Sequence, residues 1–438
     1  MDILIKAAQL LMSLSILVIL HEFGHYLPAK IFKTRVEKFY LFFDPWFSIF
    51  KKKIGETEYG IGWLPLGGYV KIAGMIDESM DKEQMAKPPE LWEFRSKPAW
   101  QRLIIMVGGV FVNVIVAVVI YACTLSYWGE EYLPNKNVTY GVTCDSLALE
   151  MGIKNGDKIV SIDGVQPDNF NRIPIEIILN EPKQITVERN GKKFSIPVTN
   201  QHIKHLIKTQ SFVTPRLPYW VGDFTDNSKG KEAGLKVGDK VIAFNGKELL
   251  FFDQYVDAIP QYANEKITLT VNRNNTVMDV ILIVPESGKI GVYPHAVLQD
   301  FFEIKTIKYG FFESIPAGAK KSYNVLVDYV KQFGLIFNTE TEAYKSVGGF
   351  LTIGSMFPST WDWQFFWNFT AFLSIMLAFL NILPIPALDG GHVMFVLYEI
   401  VTGRTAPQKV LEYAQIIGLI IILFLFVVAN GNDILKFF

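Results

Sequence analysis

Residues 3–25 read ILIKAAQLLMSLSILVILHEFGH, an apolar stretch that ends in His21, Glu22 and His25. About 20 residues of helix cross a bilayer, so this length predicts a membrane helix. His-Glu-x-x-His on a helix puts two imidazoles one turn apart on one face, where both can bind one zinc ion, while the glutamate serves as a general base. Ionisable groups are costly in such a helix. A functional role is therefore favoured over that of polar residues at a membrane boundary.

The first stretch also has features of a secretory signal peptide, because Lys6 precedes an apolar core. No small-residue cleavage site follows that core, and histidines and a glutamate follow instead. Cleavage signals need small residues there, so a retained membrane helix is the preferred interpretation.

Three further stretches have the length and composition of membrane helices, at about residues 103–127, 365–385 and 410–429. Half of the 438 residues are hydrophobic and 19% are charged, a balance that indicates membrane helices joined to sizeable water-exposed domains. The formal net charge of -1 gives no electrostatic reason to expect nucleic acid as a partner.

The predicted fold is a polytopic α-helical membrane protein with four transmembrane helices, a membrane-associated β-hairpin region and two tandem PDZ-like α+β domains. The predicted segments are a first span (1–30), a cytoplasmic or re-entrant β region (31–99), a second span (100–128), two PDZ-like domains (129–212 and 213–296), an amphipathic helix and linker (297–360), a third span (361–390), and a connector with the fourth span (391–438).

Basic residues indicate the orientation of the spans. They cluster between the first two spans, at Lys30, Lys33, Arg35, Lys38, Lys51, Lys52, Lys53, Arg95, Lys97 and Arg102. Short loops rich in Lys and Arg stay in the cytoplasm. The amino terminus and residues 129–360 are then expected on the outer side.

The loop after the first span is unusually apolar. Residues 39–50 read FYLFFDPWFSIF, and residues 57–71 read TEYGIGWLPLGGYVK, with β-favouring residues interrupted by glycine and proline. A β-hairpin that dips into the membrane and packs against protein or a wet cavity fits this pattern. A small cytoplasmic β-subdomain is the equal alternative.

The outer segment contains an internal repeat. Residues 146–164 read SLALEMGIKNGDKIVSIDG and residues 228–246 read SKGKEAGLKVGDKVIAFNG. The same offset aligns the strand at 185–187 with that at 267–269, which predicts two copies of one fold. The pattern resembles PDZ domains attached to bacterial envelope proteases, which bind extended peptides at a sheet edge. Two structural spacers are the alternative.

Residues 315–337 alternate apolar and charged side chains at roughly helical spacing. This pattern predicts an amphipathic helix, either on the outer membrane surface or packed against the second repeat.

A catalytic zinc usually has three protein ligands, so a third must come from elsewhere. His202, His205 and His295 lie in the outer segment, on the wrong side of the membrane for the predicted site. Asp389 and His392 remain, near the inner end of the third span. Two prolines and two glycines in this segment open the backbone around the acid. Asp389 is the preferred ligand and His392 the alternative.

HEFGH on the first span and NILPIPALDGGH at residues 381–392 resemble the two motifs of the site-2 protease family of intramembrane metalloproteases. GVFVN at residues 109–113 is similar to the small-x-x-x-Asn motif of that family, and LGGYVK at residues 66–71 to its membrane-associated β region. With two PDZ-like repeats, nearly the whole chain resembles the bacterial envelope-stress, sigma-E-regulating subgroup. Residues 347–354 depart from the Gly-Pro form of many members, so the resemblance assigns them no role.

The resemblance implies the following roles: zinc ligands His21, His25 and Asp389; catalytic base Glu22; substrate-binding or oxyanion-stabilising residues Asn113, Asn381, Gly67, Gly68 and Tyr69. It implies intramembrane hydrolysis of a single-span membrane protein, an anti-sigma factor already trimmed by another protease, in the bacterial inner membrane. A catalytically idle PDZ adaptor and a metal transporter are the other classes considered. The intact zinc motif disfavours the first, and a single compact metal site disfavours the second.

Overall fold

The computed structural model describes residues 2–65, 67–75, 88–209 and 212–437. Leu66 of the β-region motif lies outside the described residues, as do residues 76–87 of the same predicted segment. The chain divides into two compact units. The membrane unit comprises residues 1–129, 308–334 and 344–438, and the repeat unit comprises residues 130–307 and 335–343.

The helices, in chain order, are α1 (Asp2–Ile31), α2 (Ala99–Tyr127), α3 (Ser146–Met151), α4 (Ile173–Asn180), α5 (Asn200–Thr209), α6 (Lys229–Glu232), α7 (Phe252–Ala258), α8 (Phe311–Leu335), α9 (Phe350–Ser355), α10 (Trp363–Ile382), α11 (Asp389–Thr402) and α12 (Gln408–Phe437).

The strands, in the same order, are β1 (Val36–Leu41), β2 (Phe43–Ile54), β3 (Thr57–Leu64), β4 (Tyr69–Ile72), β5 (Glu130–Tyr132), β6 (Val142–Cys144), β7 (Lys158–Ile162), β8 (Gln184–Arg189), β9 (Lys192–Pro197), β10 (Val213–Pro215), β11 (Val221–Phe224), β12 (Lys240–Phe244), β13 (Lys247–Glu248), β14 (Lys266–Arg273), β15 (Thr276–Ile283), β16 (Val292–Pro294) and β17 (Lys305–Ile307).

Four helices among the described residues, α1, α2, α10 and α12, are long and apolar enough to cross a membrane. They lie where the sequence predicts the four spans. α2 is the central helix, because it packs against α1, α10 and α11. Small side chains let membrane helices approach closely, since lipid provides no hydrophobic drive for association. Here the approach is closest at glycines: a side-chain carbon added to Gly24 of α1 would lie 2.4 Å from the carbonyl oxygen of Gly108.

The β region is a four-stranded sheet in the order β2-β3-β1-β4, so the prediction of a β-hairpin is too simple. β2 and β3 do form an antiparallel hairpin. β1, however, runs parallel to β3 and antiparallel to β4, which the local sequence pattern does not reveal. Val36 and Ile72 of this sheet share a buried cluster with Ala29, Ile105 and Val393. The sheet is therefore anchored to α1, α2 and α11, and β4 lies at its edge.

The predicted amphipathic helix is α8, which begins at Phe311 and ends at Leu335. Its inner face packs on membrane helices: Gly318 lies against the α2 backbone at Ala122, and Val325 and Leu326 join a cluster with residues of α2 and α10. Neither predicted environment, the membrane surface or the second repeat, describes this packing.

The repeat unit contains two copies of one arrangement of helices and strands. Each copy has its own buried core. Each also has the same buried ion pair, Asp157–Arg189 in the first copy and Asp239–Arg273 in the second, with N···O distances of 2.6 Å. Although burial alone would raise the pKa of the Asp239 carboxyl, its hydrogen bonds from Arg273 lower it below the ordinary value. A repeated fold explains the repeated sequence, and its identity as a PDZ domain stays a prediction.

The alignment of the two copies needs one correction, because the sequence offset of 82 residues does not extend through the second half. Lys158 pairs with Glu188 in the first copy, whereas Lys240 pairs with Asn272 in the second, an offset of 84 residues for the partner strand. Side chains alternate along a strand with a period of two, so a shift of two residues leaves the buried pattern intact. The sequence therefore could not show the shift.

The edges of the repeats also differ from the predicted boundaries. β10, placed at the start of the second domain by the sequence, pairs with β6 of the first. β17, placed in the linker, pairs with β5 at the start of the first repeat. The chain thus returns to the first repeat after completing the second.

Candidate active site

The described residues bring His21, His25 and Asp389 together into one cluster. The two histidines project from α1 one turn apart, and Asp389 begins α11 after the break that follows α10. Nε2 of His21 and Nε2 of His25 lie 3.3 Å apart. Oδ2 of Asp389 lies 3.3 Å from the first nitrogen and 3.2 Å from the second. The three atoms form a nearly equilateral triangle.

This triangle has the dimensions of one face of a tetrahedral zinc site. With bonds of about 2.0–2.2 Å to zinc, neighbouring ligand atoms of a tetrahedron are about 3.3–3.5 Å apart. Oδ2 of Asp389 is buried, and it makes no hydrogen bond with any described residue despite the two nearby imidazoles. Three ligand atoms directed at a common point, rather than at each other, account for that geometry. The residues therefore fit a zinc ion with a fourth position left for water or substrate.

Glycines of α2 provide the space for the two imidazoles. A side-chain carbon at Gly109 would lie 2.3 Å from Nε2 of His25 and 2.7 Å from Cε1 of His21. Carbon atoms do not approach so closely, so only glycine at this position allows both rings to lie flat against α2. This is the physical reason for the small residue in the GVFVN motif.

The broken segment between α10 and α11 presents Asp389. Ala387 has a left-handed backbone with φ 76°, and its N–H donates to Oε1 of Gln415 on α12 at 3.2 Å. A side-chain carbon at Gly390 would lie 2.2 Å from the carbonyl oxygen of Leu383, and one at Gly418 would lie 1.7 Å from that of Pro386. The prolines and glycines are thus required by a tight loop held against α12.

Hydrogen bonds behind the imidazoles orient them. Nδ1 of His25 lies 2.8 Å from the carbonyl oxygen of Ile105, which can only accept, so Nδ1 carries the proton and Nε2 faces the cluster. Nδ1 of His21 lies 3.1 Å from the amide nitrogen of Asn113. The amide nitrogen of Asn381 lies 3.4 Å from Nε2 of His21, on the side that faces the cluster. Asn113 and Asn381 thus lie on different sides of one ring.

Glu22 lines a cavity of about 620 Å³ together with the three cluster residues. The N–H of Val70 in β4 donates to the Glu22 carboxylate. Gly68 lies close by, since a side-chain carbon there would be 3.5 Å from Cγ of Glu22 and 2.7 Å from the carbonyl oxygen of Tyr40. The edge strand of the sheet therefore lies directly beside the predicted base.

Tyr69, at the start of β4, lines the same cavity and donates from its hydroxyl to Oδ1 of Asp44 at 2.8 Å. Burial, and then this hydrogen bond, raise the pKa of Tyr69, so its phenol stays neutral. Gly67 has φ 140°, a conformation that side chains rarely adopt. It lies against the ring of Phe43, another residue of the cavity wall.

His392, the alternative third ligand, lines the cavity but is not part of the three-residue cluster. His202, His205 and His295 belong to the repeat unit. Sequence reasoning missed Gln415 and the Ile105 carbonyl. Neither has a sequence signal: the first is a single polar residue in an apolar helix, and the second acts through its backbone.

The family model described as peptidase family M50 matches residues 9–425. The chain belongs to peptidase family M50. It is therefore a zinc metalloprotease and a membrane protein, and its resemblance to site-2 proteases is confirmed. An adaptor or a metal transporter does not describe this family.

Relatives span the chain from end to end. A Vibrio cholerae protein whose provisional name is zinc metalloprotease is 30% identical, with 99% of both chains covered. The Haemophilus influenzae protein named regulator of sigma E protease is 26% identical over the full length of both chains. The Escherichia coli regulator of sigma-E protease RseP is also 26% identical, with 97% of both chains covered.

Gly109→Ala tests the packing of this M50 site without touching a predicted ligand. The added methyl group must displace both imidazoles, so we expect zinc content after purification to fall well below one per chain, with loss of proteolysis. Gly431→Ala is the matched control, because Gly431 also lies in a membrane helix but has no atom within 4 Å of an added carbon. Equal zinc content in the two variants would contradict the packing argument.

Proposed function

We propose that this M50 protease hydrolyses a peptide bond of a single-span membrane protein within or near the bilayer. His21, His25 and Asp389 would hold zinc, and Glu22 would act as the general base. The observation that carries the proposal is the triangle of ligand atoms, 3.2–3.3 Å on each side, next to a glutamate that lines the same cavity.

When bound, zinc supplies Lewis-acid polarisation of the scissile carbonyl and a lowered pKa for a water molecule. Glu22 accepts the proton of the attacking water on its carboxylate and delivers it to the leaving nitrogen. The N–H of Val70 holds that carboxylate in place. Asn381 lies on the cluster side of His21, where its amide N–H groups can donate to the negative charge that develops on the carbonyl oxygen.

The substrate must present an extended segment, because a helix keeps its carbonyl groups in internal hydrogen bonds. β4 is the edge strand nearest Glu22, and such edges bind extended peptides by strand addition. We therefore propose that Gly67, Gly68 and Tyr69 guide an unwound substrate segment along β4 into the cavity.

The substrate we propose is an anti-sigma factor with one membrane span, already trimmed outside the membrane by another protease. Two relatives carry the name regulator of sigma-E protease, which supports this class. The chain would lie in a bacterial inner membrane, with the active site toward the cytoplasm and the PDZ-like repeats on the outer side. Such repeats would reject untrimmed substrates by size or recruit trimmed ones.

Glu22→Gln tests the role of the base. The three ligand residues are unchanged, so zinc content should stay near that of the wild type. Turnover of a model transmembrane substrate should fall by about 10²–10⁴-fold, the usual contribution of a general base. Glu56→Gln, an exposed position in the turn between β2 and β3, is the control and should cleave normally. Near-normal cleavage by Glu22→Gln would remove Glu22 from the mechanism.

Cysteine labelling tests the orientation. Lys52 and Asn227 are both exposed, so cysteines placed there should differ only in the side of the membrane they face. The background should replace the native Cys123 and Cys144 by serine. In intact cells, a membrane-impermeant thiol reagent should label Asn227→Cys and leave Lys52→Cys unlabelled until the cells are opened. The reverse pattern would invert the proposed topology.

A further inference from the structure

We propose that Asn113 is a positioning residue that accepts a hydrogen bond from Nδ1–H of His21 and so holds the imidazole in the tautomer that binds zinc. This inference rests on the proposed zinc site. It differs from the oxyanion-stabilising role that the family resemblance implies, because it makes the Asn113 amide an acceptor toward a ligand instead of a donor toward substrate.

The location of Asn113 decides which side of His21 it serves. Asn113 is fully buried, with an exposed fraction of 0%, and its amide lies 3.1 Å from Nδ1 of His21. The other ring nitrogen, Nε2, is the one that faces His25 and Asp389. The two nitrogens point to opposite sides of the ring, so Asn113 lies behind the ligand. Asn113 also does not line the cavity that contains Glu22.

The hydrogen-bonding needs of the site determine the orientation of the amide. A ligand nitrogen must offer a lone pair, so binding through Nε2 requires the proton on Nδ1, and Nδ1–H needs an acceptor. An NH₂ group opposite Nδ1 would instead force the proton onto Nε2 and block the ligand. The two ends of a carboxamide have nearly the same shape, so the amide can turn by 180° in the same space.

The surroundings of the amide favour the turned orientation. In the untwisted orientation Oδ1 is buried and accepts no hydrogen bond from any described residue. A position without a donor suits an amide nitrogen better than an oxygen, because a buried oxygen without a donor loses its hydration without compensation. Turning the amide places Oδ1 opposite Nδ1–H of His21. One change therefore relieves the unpaired oxygen and supplies the acceptor that His21 needs.

The neighbouring ligand shows the same solution by other means. His25 is held through its Nδ1 by the backbone carbonyl of Ile105, which can only accept. Ile105, Gly109 and Asn113 follow one another at intervals of four residues along one face of α2. They provide an acceptor for one ligand, space for both rings, and an acceptor for the other ligand. α2 thus supports both histidines at once.

Asn113 is itself anchored to the third membrane helix. Its backbone carbonyl accepts a hydrogen bond from Oγ of Ser374 on α10 at 2.7 Å, and Ser374 is fully buried. α10 leads directly into the loop that presents Asp389. The hydrogen bonds therefore connect the helix of the histidines, the helix of Asn113 and the helix that precedes the third ligand.

The test compares the zinc affinities of full-length wild type, Asn113→Asp and Asn113→Leu by competition with a chelator. Asn113→Leu removes the acceptor and should bind zinc about 10–100-fold more weakly, the usual effect of losing a partner behind a histidine ligand. Asn113→Asp keeps an acceptor in nearly the same volume and should restore most of the affinity. An amide that serves as a donor to substrate predicts wild-type zinc affinity in both variants, which would overturn the inference.

Two controls keep the outcomes separate. His21→Ala should lose tight zinc binding, and if it does not, the proposed zinc site is wrong whatever Asn113 does. If His21→Ala behaves as expected but Asn113→Leu binds zinc like the wild type, only the role of Asn113 is wrong. If Asn113→Leu does not fold, Asn113→Asp decides alone: affinity near or above wild type supports an acceptor, and a tenfold loss contradicts it.

Discussion

The membrane unit depends on the contact between the backbones of α1 and α2 at Gly24 and Gly108. These helices can touch only because neither carries a side chain at the crossing point. The contact brings the His-Glu-x-x-His face of α1 against Gly109, where both imidazoles find space. Any larger residue at the crossing would separate the helices and move the ligands away from Asp389.

The same contact solves the problem of placing ionisable groups among apolar helices. Such groups are costly in a membrane unless they face the protein interior and find partners. Here the rear nitrogens of the histidines face acceptors on α2, and the front nitrogens converge with the carboxylate of Asp389. Glu22, one residue from a ligand, is turned instead toward a cavity and the backbone of β4. A helix and an edge strand therefore divide the work, the first holding the metal site and the second bordering the space for substrate.

The sequence predicted the elements better than their arrangement. The four spans and the ligand pair on α1 follow from length, hydropathy and helical spacing, which are local properties. The choice between Asp389 and His392 could not be made from the residues alone, since both lie in one broken segment whose path depends on contacts with α12. The parallel pairing of β1 with β3 is likewise set by distant contacts. The repeat offset changes by two residues without a trace in the pattern, and the support of His21 by Asn113 depends on the packing of two helices.

The account's central claim is that Asp389, not His392, completes the zinc site with His21 and His25. Zinc content of purified full-length Asp389→Ala and His392→Ala, measured against the wild type, tests it most directly. His392 lines the same cavity, so the two variants differ mainly in whether a ligand is lost. The account predicts a large loss of zinc in Asp389→Ala and nearly full occupancy in His392→Ala. Full occupancy in Asp389→Ala together with loss in His392→Ala would contradict it.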